Sequence, residues 1–215
     1  MQDAPNRVPS TPKPNPYAHC PRLPVGDAIA LDSLVTGEHV ELEIGCGRGG
    51  FVFERAVAVP NAAIVGLEVR RKWATIVDER LAKQGLGARC RVFAEDAKAA
   101  MPRLVPSGGV ARVFMHFPDP WWKKRHEKRL VMGDVFLAEV SRLLVRGGEL
   151  FVQTDVEDRA MAYAAQIESQ GDFVPAGDLA GTPWLTENPY EARSPREHRA
   201  IKDGLPVHRM RYARK

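Results

Sequence analysis

From His39 onward, short apolar runs alternate with amphipathic stretches, and the first run, Val40–Ile44, opens directly into the glycine cluster GCGRGG. A strand that ends in glycines and leads into a helical pattern fixes much of what a chain can become. Backbone without Cβ atoms turns tightly and lets a ligand approach closely. Helical spacing covers Phe51–Ala58 and Trp73–Lys83, and apolar runs of strand length cover Ala62–Leu67, Cys90–Ala94 and Val110–Phe117. A longer helix is predicted over Val131–Leu144, then a strand over Glu149–Thr154 and a helix over Val156–Ser169. Phe173–Ala176 and Val207–Tyr212 read as a closing pair of strands, joined by a polar, Arg-rich connection that reads as a substrate loop. Regular alternation of apolar strands with helices predicts an α/β fold: a doubly wound, mostly parallel sheet with helices on both faces. Ligands of such folds lie beyond the carboxyl ends of the strands.

The 215 residues suffice for one domain, which at this size buries about 70% of its unfolded surface without staples. Seven of the 17 prolines fall in the first 24 residues, so 1–24 read as a disordered or surface-hugging arm and 25–215 as the domain. No apolar run approaches the roughly 18 residues of a membrane span, and the N-terminus lacks the apolar core of a signal peptide; a soluble, cytoplasmic protein is expected. Cys20, Cys46 and Cys90 are odd in number with no CxxC pairing, and the histidines lack HxxxH or HExxH spacing. Reduced thiols and no metal are therefore expected. A monomer is the working assumption.

The formal charge is +4. Its distribution says more than its size. Trp121–Leu130 carries a net +4 and Glu191–Lys215 a net +5, leaving −5 for the rest of the chain. Positive charge confined to two short segments of an otherwise acidic protein is the pattern of a surface that meets phosphates.

Gly45, Gly47 and Gly50 satisfy GxGxxG after the first strand, and Glu68 ends the second strand where an acid accepts hydrogen bonds from ribose hydroxyls of an adenosine cofactor. NAD and S-adenosylmethionine both satisfy that pairing. Asp96, after the third strand, either faces an adenine amino group or caps the following helix. Together Glu43, Glu68, Asp96 and Asp119 place an acid at or just after the carboxyl end of each of the first four strands. A carboxylate-lined pocket suits a ligand with sulfonium and ammonium groups and suits a pyrophosphate poorly. After the fourth strand comes FPDPWWKKRHEKR, in which Pro118 and Pro120 fix the chain around Asp119 while two tryptophans and five cations offer stacking surfaces and phosphate contacts. Asp155, in TDVED, is placed to cap a helix.

With LEIGCGRG, Glu68 and above all FPDPW followed by KKRHEKR, the chain from about Glu38 onward resembles the bacterial tRNA (guanine-N7-)-methyltransferases. The resemblance implies a Rossmann-like, seven-stranded class I fold, S-adenosylmethionine as cofactor and tRNA as substrate. It implies modification of a guanine at position 46, in the variable loop. Glu43, Gly45, Gly47, Glu68, Asp96 and Asp119 are then cofactor-contacting, and Asp119 is also the catalytic residue. Lys123 and Asp155 match substrate-contacting positions, and Arg125, His126, Lys128 and Arg129 fall in the segment that meets RNA. The family's Thr-x-x-Glu motif corresponds to Ser194-Pro195-Arg196-Glu197, with Thr186 or Tyr190-Glu191 as the competing alignment. Trp122 stands where the family usually has proline, and His116 where asparagine is common.

Overall fold

The computed structural model describes residues 15–118 and 131–215. In chain order the strands are β1 (Ile29–Ala30), β2 (His39–Ile44), β3 (Ala62–Leu67), β4 (Cys90–Phe93), β5 (Leu104–Val105), β6 (Val110–His116), β7 (Leu144–Thr154), β8 (Phe173–Pro175), β9 (Trp184–Leu185) and β10 (His208–Arg214). The helices are α1 (Gly50–Ala58), α2 (Arg71–Lys83), α3 (Ala97–Ala100), α4 (Asp134–Leu143), α5 (Glu157–Ser169) and α6 (Pro195–Lys202). The main sheet runs β4-β3-β2-β6-β7-β10-β8, a path of seven strands, with the short β9 as an eighth on β10. The five strands β4, β3, β2, β6 and β7 are parallel, and β10 is antiparallel to its neighbours. The chain winds outward from β2 through β3 to β4, then returns to β6 on the other side of β2. In sheets of this kind such a reversal, here at the carboxyl ends of β2 and β6, is where the ligand crevice lies.

Strand side chains alternate between faces, and the sheet sorts them accordingly. Leu42, Ile44, Ala63, Val65, Val113, Met115, Leu150 and Val152 face the larger core, which α4 and α5 complete through Phe136, Leu137, Val140, Tyr163 and Ile167. Ile64, Cys90 and Val92 turn the other way, onto Val52 and Ala56 of α1 and Ala74, Val77 and Leu81 of α2. On that second face Phe114 and Phe151 pack with Phe51 and Tyr190. Around this aromatic patch the face is polar: Glu41 and Glu43 of β2, His116 of β6 and Gln153 of β7 are all buried. Burial of one large aliphatic side chain is worth about 1.5–3 kcal/mol, so the apolar face carries the fold and leaves the other face free to hold polar machinery.

Three elements differ from expectation. The helix predicted from Val131 begins at Asp134 with Gly133 as its N-cap, and β7 begins at Leu144, five residues before the predicted strand. The Arg-rich connection contains α6, entered through Ser194 as N-cap and Pro195 in the first turn. Within the proline-rich segment, Cys20 and Leu23 are buried, the Pro21 carbonyl accepts from Ala94 N at 2.7 Å, and Leu23 N donates to Glu95 Oε1 at 3.2 Å. Residues 20–24 of the expected disordered or surface-hugging arm therefore lie against the domain.

Candidate active site

The glycine turn after β2 is joined to the end of β3 by two hydrogen bonds. Gly45 N donates to the Leu67 carbonyl at 2.8 Å, and Gly47 N donates to Glu68 Oε2 at 2.8 Å. Gly45 has φ +79°, and a Cβ built there meets nothing within 4 Å, so glycine is required for the turn and leaves bare backbone facing open space. The third glycine of the motif has another task. A Cβ on Gly50 would lie 2.5 Å from Pro195 Cγ, so its absence lets α6 approach α1. Glu68 is 3% exposed, and its Oε1 accepts from Arg70 N at 2.9 Å and Arg70 Nε at 3.0 Å.

Beside the turn, at the carboxyl ends of β2, β6 and β7, lies a group of buried polar atoms with unfilled hydrogen-bond capacity. His116 Nδ1 lies 3.0 Å from Glu43 Oε1. Glu43 Oε2, His116 Nε2 and Gln153 Oε1 have no partner among the described residues. His116 and Gln153 are register partners across β6 and β7. Two buried oxygens and one ring nitrogen at the ends of these strands thus lack partners among the described residues. A buried polar atom left unpaired costs about 1–3 kcal/mol, so three together mark a place built for a ligand. Phe51 closes one side, its ring centroid 4.2 Å from that of His116.

The next residues complete the crevice. Phe117 has φ +49°, unusual for a side chain of its size, and its N–H donates to the Gln153 carbonyl at 2.7 Å. This kink lies directly before Pro118. Asp119, Lys123, Arg125, His126, Lys128 and Arg129 lie outside the described residues.

The remaining expected residues fall into two groups. Asp96 is exposed and caps α3, accepting from Lys98 N at 2.9 Å, as one of its two readings required. Asp155 caps nothing: Val156 is the N-cap of α5, and Asp155 Oδ2 instead accepts from Arg196 Nε at 3.0 Å and from Nη2 of the same guanidinium. Arg196 also lies over the Phe117 ring, 5.9 Å from its centroid. Ser194 and Glu197 are both buried. Ser194 Oγ accepts from Glu197 N at 3.2 Å, and the Glu197 carboxylate turns inward. Its Oε1 accepts from Arg209 Nε and Nη2 at 3.0 and 2.9 Å, and its Oε2 from Gln153 Nε2 and Asn188 Nδ2 at 3.0 and 2.9 Å. Thr186, of the competing alignment, is exposed and hydrogen-bonded to Asp178, and Glu191 is also exposed. Sequence reasoning missed Gln153, Asn188 and Arg209. The one signal was a glutamine inside an otherwise apolar strand.

Electrostatics on this face keep the site acidic. Burial pushes the Cys46 thiol well above its ordinary range, and the charges of Glu43 and then Glu68 push it further. Cys46 Sγ donates to the Glu43 carbonyl at 3.4 Å. Further along the same face, burial would raise the Glu41 carboxyl, but bonds to Arg55 at 2.8 and 2.7 Å and to Arg112 at 3.0 Å outweigh it and hold the group below its ordinary value.

A family model described as "Putative methyltransferase" matches residues 38–210. A tRNA (guanine-N(7)-)-methyltransferase of Anaeromyxobacter dehalogenans is 40% identical over 175 residues, which cover 81% of this chain and 85% of the relative. The chain belongs to this family. Like-named relatives from Myxococcus xanthus and Microcystis aeruginosa are 37% and 30% identical, covering 80% and 91% of this chain and 82% and 92% of their own lengths. Among solved structures, the 16S rRNA methyltransferase KamB superposes with a TM-score of 0.55 at 17% identity, covering 86% of this chain and 91% of its own. An antibiotic-related methyltransferase gives 0.54 at 15% identity, covering 83% and 88%. At such identities these two bear on the fold alone, and it is the class I methyltransferase fold that the family resemblance implies. Among the described residues, no helix is long and apolar enough to cross a membrane.

Proposed function

We propose that the protein transfers a methyl group from S-adenosylmethionine to N7 of a guanine in tRNA, at position 46 of the variable loop, in the cytoplasm. The observation that carries this reading is the set of three buried polar atoms, Glu43 Oε2, His116 Nε2 and Gln153 Oε1, that lack partners among the described residues beside the bare Gly45 turn. The carboxylate and amide oxygens suit an ammonium group and a guanine edge and repel a phosphate. Glu43, Gly45, Gly47 and Glu68 hold the cofactor, with Asp96 at the rim. When bound, S-adenosylmethionine supplies a methyl group activated by a sulfonium.

Guanine N7 carries a lone pair in the ring plane and no proton, so no general base is needed to create the nucleophile. The task of the chain is placement and charge. Asp119 accepts hydrogen bonds from the guanine edge and favours the positive charge that develops on the ring. In sequence, Pro118 and Pro120 flank it and restrict φ at their own positions. Lys123 and Asp155 contact substrate, Asp155 after exchanging its bond to Arg196. Ser194 and Glu197 serve from behind, fixing α6 and the amide of Gln153. Arg125, His126, Lys128 and Arg129 meet backbone phosphates and set register.

Purified protein given labelled S-adenosylmethionine and unmodified tRNA should label the RNA. Asp119→Ala should lose about 100-fold or more in turnover while tRNA affinity stays within about twofold. Undiminished turnover in that variant would remove Asp119 from the mechanism.

A further inference from the structure

The second basic segment, Glu191–Lys215, has no role in the site described above apart from Ser194, Arg196, Glu197 and Arg209. It surrounds a cavity of about 600 Å³ between α6, the start of β10 and the preceding loop, within the size range of pockets that hold one small ligand. Two of the exposed large hydrophobic residues, Ile201 and Leu205, each about half exposed, stand in its wall. Arg193 lines it too. The Arg193 backbone N–H is tied to Glu54 Oε2 at 2.8 Å, yet its side-chain Nε is buried without a hydrogen-bond partner among the described residues. No ion pair to the Arg193 guanidinium occurs among the described residues, whereas the neighbouring His198 is paired to Glu54 at 2.7 Å and Arg209 to Glu197. Arg199 and Lys202, exposed on α6, likewise make no ion pair among the described residues.

A buried, unpaired guanidinium nitrogen calls for an anionic acceptor, and an adjoining half-exposed aliphatic wall calls for a flat apolar surface. A nucleotide offers both: phosphate to Arg193, base to Ile201 and Leu205. Unpaired RNA bases are recognised in this way, splayed out against a wall with the phosphate held by arginine. The cavity also communicates with the active site. Its wall residue Arg209 holds Glu197, which holds Gln153, whose carbonyl accepts from Phe117 N at the kink before Asp119.

We infer that this cavity is a second RNA subsite, which takes one unpaired nucleotide of the tRNA while the target guanine occupies the crevice. The inference rests on the proposed function. Its test is steady-state methylation of unmodified tRNA by Arg193→Ala, Arg193→Lys and Leu205→Asp, with S-adenosylhomocysteine binding as the control for folding and for the cofactor site. Arg193→Ala and Leu205→Asp should raise the tRNA KM about tenfold with kcat and S-adenosylhomocysteine affinity unchanged, and Arg193→Lys should recover part of the loss. The salt dependence of tRNA binding should flatten by about 0.7 in log–log slope for Arg193→Ala, the value for one single-strand phosphate contact. Independently, tRNA carrying 4-thiouridine should give photo-adducts within residues 193–207. An active wild-type protein whose variants keep their KM and slope, with adducts only elsewhere, overturns the subsite. A wild-type protein that transfers no methyl to tRNA, yet still forms adducts in this segment, overturns the proposed function and leaves the RNA contact standing.

Discussion

Replacement of Glu197 by alanine separates a substrate contact from a structural anchor. Glu197 is fully buried and accepts four hydrogen bonds, two from Arg209 and one each from Gln153 and Asn188. Its removal leaves the Arg209 guanidinium, only 8% exposed, without a counter-charge. Breaking a buried pair from one side costs about 3–5 kcal/mol, because the remaining charge stays desolvated. In a chain of this length about 1 kcal/mol moves the melting temperature by about 2–4 °C, so a fall of about 6–20 °C is expected. The cost belongs to the stranded charge, so removing both partners should cost less than removing one. Glu197→Ala/Arg209→Met should therefore melt above Glu197→Ala alone. Circular dichroism melts of wild type, both single variants and the double variant supply the cycle. A loss below about 2 °C in Glu197→Ala, or a double variant whose loss equals the sum of the singles, would refute the anchor.

Other expectations follow from the same face of the sheet. Glu41 is held below its ordinary value of 4.5, so its contribution to stability is present above that pH and is lost as pH falls through the lowered value. The melting temperature of Glu41→Gln should be lower than wild type at pH 7 and should converge with it toward pH 3; parallel curves would contradict this. Gly50→Ala places a Cβ 2.5 Å from Pro195 Cγ. Such overpacking costs about 1–3 kcal/mol and should raise the S-adenosylhomocysteine dissociation constant by shifting α6 from the glycine turn, whereas unchanged stability and binding would show that α6 yields freely. Cys46, buried and with its thiol pushed up by burial and by Glu43 and Glu68, should resist alkylation at pH 8 until the protein unfolds. Rapid labelling of the folded protein would contradict that.

Much of the fold was legible because its signals are local. The parallel strands are short and largely apolar, and the helices between them carry helical spacing, so β2, β3, β4 and β6 and α1, α2 and α5 fall close to where the pattern puts them. The glycine turn and Glu68 were legible for the same reason, and a direct bond now joins them, from Gly47 N to Glu68. What escaped depends on contacts distant in sequence. The helix α6 has few apolar residues, and its charges disguise it as a loop until Ser194 is seen capping it and Pro195 packing on Gly50. Gln153 looks like an ordinary strand residue, and only the sheet register brings it beside His116. Asp96 and Asp155 each had a capping reading in sequence, and the structure divides them: one caps a helix, and the other pairs with an arginine 41 residues away.

The central claim is methyl transfer to guanine N7, and one chemical property of the product tests it directly. Borohydride reduction followed by aniline cleaves RNA at 7-methylguanosine and leaves unmodified guanosine intact. Unmodified tRNA incubated with the protein and S-adenosylmethionine should break at a single guanine in the variable loop. Methyl label in the RNA with no such break would contradict the N7 assignment.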